Sequence, residues 1–410
     1  MRVERPFGIL LAFLVGASVF LTYRIWQEEP PLLPYAHVVE PAPKKEGQLT
    51  PADFLWGIGI YRIGDDVRIV YGLPIGPLAS AVRGPWREGS LLPPPYRTFT
   101  FTPLAPFPSS PSLPFVGAEA GEIEEFGLWE DLPLAERSAR GGSFLRAGQT
   151  LYVGEAVPEG WAPLTPYLDR SVPARELPRG EGRAPFVVPT SEIRLPVYRL
   201  AYEIPSPEEL LSRLFFDAPN FRAFRERTGA QIFTNGVESV RFGRDDQVTY
   251  FAPALRRDEG TRPSPLSSAA VFLNRHGGLL FPATFVGEEH EGGDVILHLV
   301  EHVEGFPLVA SGPTGPVPFG EIELRMNGPQ VVEGRWPLRK RVSLEVLPEA
   351  VTLPPPSGEI QRPTPDALWL VAYEFVEGET PGQGIARPRA YWWLPETRRF
   401  VPAEGRGRGS

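Results

Sequence analysis

The sequence predicts an α+β chain, in which an N-terminal transmembrane helix precedes a multi-domain extracytoplasmic region of mainly antiparallel sheets with few short helices. Three observations carry that expectation. Phe7 to Tyr23 (FGILLAFLVGASVFLTY) runs for 17 residues without a charge, behind a start that carries Arg2 and Arg5. The chain holds 50 prolines and 42 glycines in 410 residues, which excludes long helices over much of its length and favours short strands and ordered loops. Short runs of alternating apolar and polar residues then recur between glycine and proline turns.

At ~1.5 Å per residue the uncharged run makes a helix of about 25 Å, and continuing it to Trp26 gives about 30 Å, the thickness of a hydrocarbon core. Arg24 then snorkels at the far interface, with Tyr23 and Trp26 as aromatic anchors. A cleaved signal peptide needs small residues where this chain has Arg24-Ile25-Trp26-Gln27-Glu28-Glu29, so residues 1–27 are expected to remain as the cytoplasmic start and transmembrane helix. Arg2, Arg5 and the terminal amine stand against Arg24 alone, which sets the N-terminus in the cytoplasm and the bulk of a single-pass membrane protein outside it. Gly8, Ala12 and Gly16 recur at i, i+4 and i+8 and form one smooth helix face. Small residues in that arrangement let a second helix approach closely, so these three are the candidate partner-binding residues.

The absence of cysteine removes a disulfide framework, a thiolate metal site and a cysteine nucleophile. A net charge of −9 argues against a nucleic-acid partner, which leaves a basic footprint. With 42% hydrophobic and 22% charged residues, the exported part is an ordinary globular chain long enough for two or three domains.

Residues 28–48, with Glu29-Pro30-Pro31 and Pro41-Ala42-Pro43-Lys44-Lys45, have linker composition. Residues 49–196 read as a first, proline-rich, mostly β domain with strands at Val67–Tyr71, Arg97–Phe101 and Thr150–Val153, and a rigid surface loop from Pro103 to Pro114. Residues 197–278 read as a middle α+β domain. Ser206-Pro207-Glu208-Glu209 combines an N-cap serine, proline at the first helical position and a glutamate three residues after the cap. Leu210, Leu211, Leu214 and Phe215 continue it as one apolar stripe. A second short helix is expected over Pro219–Thr228, with Phe221 and Phe224 inward and Gly229 as its stop. Asn235-Gly236 between Gln231–Thr234 and Val237–Phe242 predicts a hairpin, extended by Val248–Phe251. A further short helix is expected over Ser267–His276. Residues 279–402 read as a C-terminal, mainly antiparallel β domain with strands at Val295–Val303, Glu321–Met326, Val342–Val346, Leu368–Phe375 and Arg389–Leu394, before a tail at 403–410 of disordered composition.

His298-Leu299-Val300-Glu301-His302 fits H-x-x-E-H, the zinc pattern of inverted zincins, and offers a zinc-dependent hydrolase as an alternative function. That chemistry needs a helix, on which both histidines project from one face. The segment is instead dense in β-branched residues between Gly292-Gly293 and Gly305-Phe306-Pro307, and reads as a strand. On a strand the two histidines stand about 13 Å apart, too far to share a zinc. His37, His276 and His290 do not assemble with a serine and an acid, and no nucleophile elbow, phosphate loop or dinucleotide fingerprint is present. No catalytic, cofactor or metal residue is therefore assigned. Tyr391-Trp392-Trp393 offers a sugar-stacking platform, hence a cell-wall or glycan-binding surface protein as another alternative, against a strand that buries its aromatic residues. Arg335, Arg339, Lys340 and Arg341 form the one dense basic cluster and read as a solvated strand and turn, with a contact to an acidic partner or the membrane surface as the alternative.

Several segments together resemble the YycH family of regulators. They are Ala17–Trp26 at the anchor exit, Leu214–Pro219 leading through Ile232–Gly236 to Tyr250–Pro253, Leu297–Pro307, and Trp369–Tyr373 with Tyr391–Trp393. The resemblance implies a transmembrane helix and three extracytoplasmic domains, the last two like the companion regulator YycI. It also implies no catalysis and no cofactor: the family acts on the YycG/WalK-type sensor histidine kinase of a Gram-positive two-component system, largely through transmembrane helices. The expected partners are that kinase, a YycI-like companion and the membrane. The proline-rich first domain departs from the family, and near Leu353-Pro354-Pro355-Pro356 an expected helix is missing.

Overall fold

The computed structural model describes residues 49–403, except 64, 77–81, 90–96, 106, 109–121, 131–142, 148–149, 157–163, 178–185, 207–208, 212–221, 244–245, 254–263, 277–279, 314, 357–362 and 366. The uncharged run and its Gly8, Ala12 and Gly16 face lie outside the described residues. Most of the Pro103–Pro114 loop does too, as do Leu214 and Phe215. Among the described residues, no helix is long and apolar enough to cross a membrane.

Two sheets organise the described residues. The first has ten strands: β1 (Trp56–Ile63), β2 (Asp66–Pro74), β3 (Val82–Glu88), β4 (Arg97–Pro103), β5 (Phe107–Pro108), β6 (Glu122–Glu130), β7 (Ser143–Ala147), β8 (Thr150–Ala156), β9 (Val172–Leu177) and β10 (Phe186–Pro189), with a one-turn helix α1 (Thr165–Leu168) before β9. Their order is β10-β9-β2-β1-β4-β6-β7-β8-β3, with β5 on β6. Alternation in Arg97-Thr98-Phe99-Thr100-Phe101 turns both phenylalanines into the core, where they share an apolar cluster with Phe54, Phe281 and Leu324. Ile58 and Ile60 of β1 belong to a second cluster, with Val188, Trp369 and Trp393. This proline-rich region is thus packed against the rest of the chain.

The second sheet has fifteen strands. Its first members are β11 (Ile193–Glu203), β12 (Arg222–Arg225), β13 (Gln231–Thr234), β14 (Ser239–Phe242) and β15 (Gln247–Phe251). After α2 (Pro265–Arg275) come β16 (Ala283–Glu291), β17 (Asp294–Val303), β18 (Phe306–Gly312), β19 (Gly315–Pro318), β20 (Ile322–Asn327), β21 (Gln330–Pro337), β22 (Lys340–Leu353), β23 (Leu368–Glu377), β24 (Gln383–Leu394) and β25 (Arg399–Pro402). The main path is β12-β13-β14-β15-β21-β20-β17-β18-β23-β24-β11-β22. β17 and β18 join only through His302↔Pro307 and Val303↔Phe306, so a two-residue ladder is the seam between two halves of this sheet. β11 crosses residue 196, the boundary read from the sequence, and pairs with β22 and β24.

Three expectations are corrected. The helix over Pro219–Thr228 is not formed: Arg222–Arg225 is a strand paired with β13, with Ala223 buried and Phe224 exposed. Gly229, at φ +88, turns that hairpin where a helix stop was expected. Cross-strand pairing overrides the weak helical pattern of a segment this short. The Asn235-Gly236 turn also spans four residues, because the Asn235 side chain accepts from the amides of Val237 and Glu238 and holds both out of the ladder. Finally, α2 starts earlier than Ser267, since Ser264 Oγ accepts from the Ser267 amide and Pro265 takes the first helical position. The Ser206 cap is present, with its hydroxyl accepting from the Glu209 amide at 3.1 Å.

Candidate functional site

The H-x-x-E-H segment occupies β17, a strand closed by Glu304 and Gly305 in left-handed conformations, at φ +49 and +82. A Cβ on Gly305 would stand 2.1 Å from the Trp56 ring, so glycine is required there for space as well as conformation. The strand removes the helical face on which both histidines and Glu301 would hold a zinc. The zinc-hydrolase alternative therefore lacks its geometry, and the strand expected from the sequence is the one observed.

His298 is buried opposite Glu323 of β20, with Nδ1 at 3.2 Å from Glu321 Oε1 and 4.0 Å from Glu323 Oε1. These three residues place one donor atom each within 4.8 Å of one another. A metal-bound imidazole passes its second N–H to an acceptor, whereas the buried Nε2 of His298 has no partner among the described residues. The tautomer that leaves fewest buried donors unmatched carries the proton on Nδ1 and donates it to Glu321. The trio is then a hydrogen-bonded cross-strand cluster.

Three positions further along, Glu301 is 0% exposed. The Tyr202 hydroxyl, from β11, donates to its Oε1 at 2.8 Å, and Arg341 Nη1 lies 3.4 Å from the same oxygen. Oε2 has no partner among the described residues. Burial pushes the Glu301 carboxyl up to about 7, against the pull of Arg341, the Tyr202 hydrogen bond and Arg339. Gly320, at φ +72, fits its backbone beside this side chain; a Cβ would stand 2.9 Å from Oε2. His302 faces the opposite side of the strand. Its Nδ1 accepts from the Gly305 amide at 3.0 Å and its ring lies against Trp56 at 4.6 Å. Burial, then Arg341, hold it down at about 3, so the ring is neutral.

The basic cluster is solvated only in part: Arg335 on β21 has its side chain 55% exposed, as expected, whereas Arg339 and Arg341 turn inward. Arg339 lies over the Phe319 ring at 3.5 Å, and Arg341 donates to the His302 carbonyl at 2.9 Å. Lys340 pairs with Glu203 and Glu209 at 3.1 and 3.2 Å, and Arg335 with Glu333 at 2.6 Å. The turn after β21 folds its charges inward because Glu301, Glu203 and an aromatic face await them. Trp392 and Trp393 are buried as well, and Trp393 Nε1 donates to the Leu104 carbonyl at 2.8 Å. That burial removes the sugar-stacking platform. Tyr202, Gly320 and Trp56 escape a reading of the sequence, since Tyr202 meets Glu301 across 99 residues and no local spacing marks the pair.

No family model matches the sequence and no curated protein matches it. The crystal structure of YycH from Bacillus subtilis superposes with a TM-score of 0.61 over 90% of this chain and 99% of that chain, at 10% identity. The fold of this chain matches YycH.

Proposed function

We propose that the chain is a membrane-anchored, non-enzymatic regulator of a two-component sensor histidine kinase. The observation that carries the reading is the likeness of fold to YycH over nearly the whole of that chain. The uncharged N-terminal run supports the anchor, and the resemblance of segments on both sides of residue 200 supports the family's mode of action. In this reading the bulk of the chain lies outside the cytoplasm, and the Gly8, Ala12 and Gly16 face packs on a kinase transmembrane helix. A contact that fits one of two kinase states better than the other shifts their balance by that difference in affinity, without any chemical step. A YycI-like companion is the second partner.

The test replaces Gly8, Ala12 and Gly16 together with leucine in the full-length protein and measures co-purification with the kinase from membranes. Association is expected to fall clearly while membrane insertion is retained. Unchanged association overturns the helix-packing mechanism.

A further inference from the structure

We propose that Glu301 is a proton-operated latch at the seam of the fifteen-stranded sheet: neutral, it keeps the turn between β21 and β22 closed on β17, and ionised, it draws water in and loosens that turn. The backbone leaves room for such a device, because only two residue pairs bridge β17 and β18. What else holds the seam is local. The Glu301 amide donates to the Phe319 carbonyl at 3.3 Å, the Phe319 amide to the Leu308 carbonyl at 2.9 Å, the His302 amide to the Pro282 carbonyl at 3.1 Å, the Arg341 amide to the Leu280 carbonyl at 3.1 Å, and Arg341 Nη1 to the His302 carbonyl at 2.9 Å.

The groups facing Glu301 come from every element around it. β11 contributes Tyr202, whose hydroxyl is its hydrogen-bond donor, and burial raises that phenol well above its ordinary range, so it keeps its proton. The β21–β22 turn contributes Arg341 at 3.4 Å and Arg339, whose Nε is buried without a partner among the described residues. β16 places uncharged Ala283 opposite, and the loop before β20 contributes the bare backbone of Gly320. His302, the next residue, faces the other side of the strand toward Trp56. Glu301 is thus fully buried, with one hydroxyl donor and an ion-paired guanidinium at 3.4 Å both on Oε1, and no partner for Oε2 among the described residues. A carboxylate in that position is poorly solvated, and ionising it favours any local opening that lets water reach Oε2 past Gly320.

The direction follows from linkage. A carboxyl at about 7 when closed and near its ordinary 4.5 when open holds the latch fully below about 4.5 and releases it as the pH rises to about 7. Opening then increases at most tenfold per pH unit, or about 1.4 kcal/mol, across that window and levels off above it.

Hydrogen exchange of the full-length protein in detergent, from pH 5 to 8.5 and corrected for intrinsic exchange, reads this directly. Peptides carrying the Glu301 and Arg341 amides are expected to lose protection several-fold per pH unit up to about pH 7 and then level off, while those of β13 and β14 stay constant. Glu301→Gln is expected to remove the dependence. Tyr202→Phe, which takes away the donor that favours the ionised form, is expected to extend the loss to higher pH. His302→Gln is expected to leave the dependence in place. Protection that is flat with pH in the unaltered protein overturns the proposal, as does the same dependence in Glu301→Gln. If that variant does not fold, an unshifted profile in Tyr202→Phe overturns it.

Discussion

Two glutamates lie buried in the same fifteen-stranded sheet, one on each side of its seam, and they differ in how completely they are partnered. Glu374 of β23 receives Arg389 Nε on Oε2 at 2.9 Å and the Ser311 hydroxyl on Oε1 at 2.8 Å. Glu301 receives one hydroxyl, stands 3.4 Å from its guanidinium and has an oxygen with no partner among the described residues. The Arg389 side chain is 65% exposed, so water reaches the charge that balances Glu374, whereas Arg341 is 10% exposed and shares its guanidinium with the His302 carbonyl. Burial alone therefore does not decide whether a carboxylate is at ease; the number of donors reaching its two oxygens does.

The largest test of this difference removes Arg341. Arg341→Met deletes the nearest balancing charge of Glu301 and the donor to the His302 carbonyl, and is expected to cost about 3–5 kcal/mol at pH 8 in denaturant unfolding. At pH 5, where Glu301 takes up its proton, the loss is expected to be smaller. An equal loss at both pH values would show that the guanidinium acts by packing and that the charge of Glu301 is not the issue.

The next effect separates the two titrating neighbours on β17. His302 is held at about 3 against an ordinary 6.5, so its contribution to global stability is full above 6.5 and is lost as the pH falls toward 3. Glu301 contributes in the opposite sense, full below about 4.5 and lost as the pH rises to about 7. Global unfolding exposes both groups, so their slopes oppose one another between about 4.5 and 6.5 and the stability profile is expected to be nearly level there. His302→Gln removes one slope and uncovers the other. The midpoint of unfolding should then decline from about pH 4.5 to 7, and a profile that stays level would contradict the opposing assignments.

Neither glutamate's situation is written in the sequence near it. The β-branched density of Val295–Val303 between glycine turns and the apolar run at Leu368–Phe375 announced two strands, and the Ser206 and Asn235-Gly236 signals announced a cap and a turn, because those effects act over a few residues. Partners are another matter. Tyr202 and Glu301 are 99 residues apart, Ser311 and Glu374 are 63 apart, and no spacing rule links either pair. The same limit explains the inner part of the basic cluster: Arg335 is exposed as its sequence suggests, but Arg339, Lys340 and Arg341 turn toward Tyr202, Glu203 and Glu301 because β11 and β17 bring those residues beneath them. It also explains Arg222–Arg225, whose local pattern suggested a helix and whose pairing with Gln231–Thr234 made a strand. The H-x-x-E-H motif was separable from a zinc site at the level of sequence, since β-branched residues and flanking glycines oppose the helix such a site requires.

The smallest expected effect sharpens the comparison from the other side. Arg389→Met removes the guanidinium nearest Glu374, yet the Ser311 hydroxyl remains on Oε1, and the mostly exposed position of Arg389 lets water take its place at Oε2. The cost is expected to stay near or below about 1 kcal/mol, in the range of exposed ion pairs, and to fall further with added salt. A loss as large as that of Arg341→Met would mean that Glu374 relies on its arginine as much as Glu301 does. The distinction between a carboxylate with two donors and a carboxylate with one would then fail as an account of the seam.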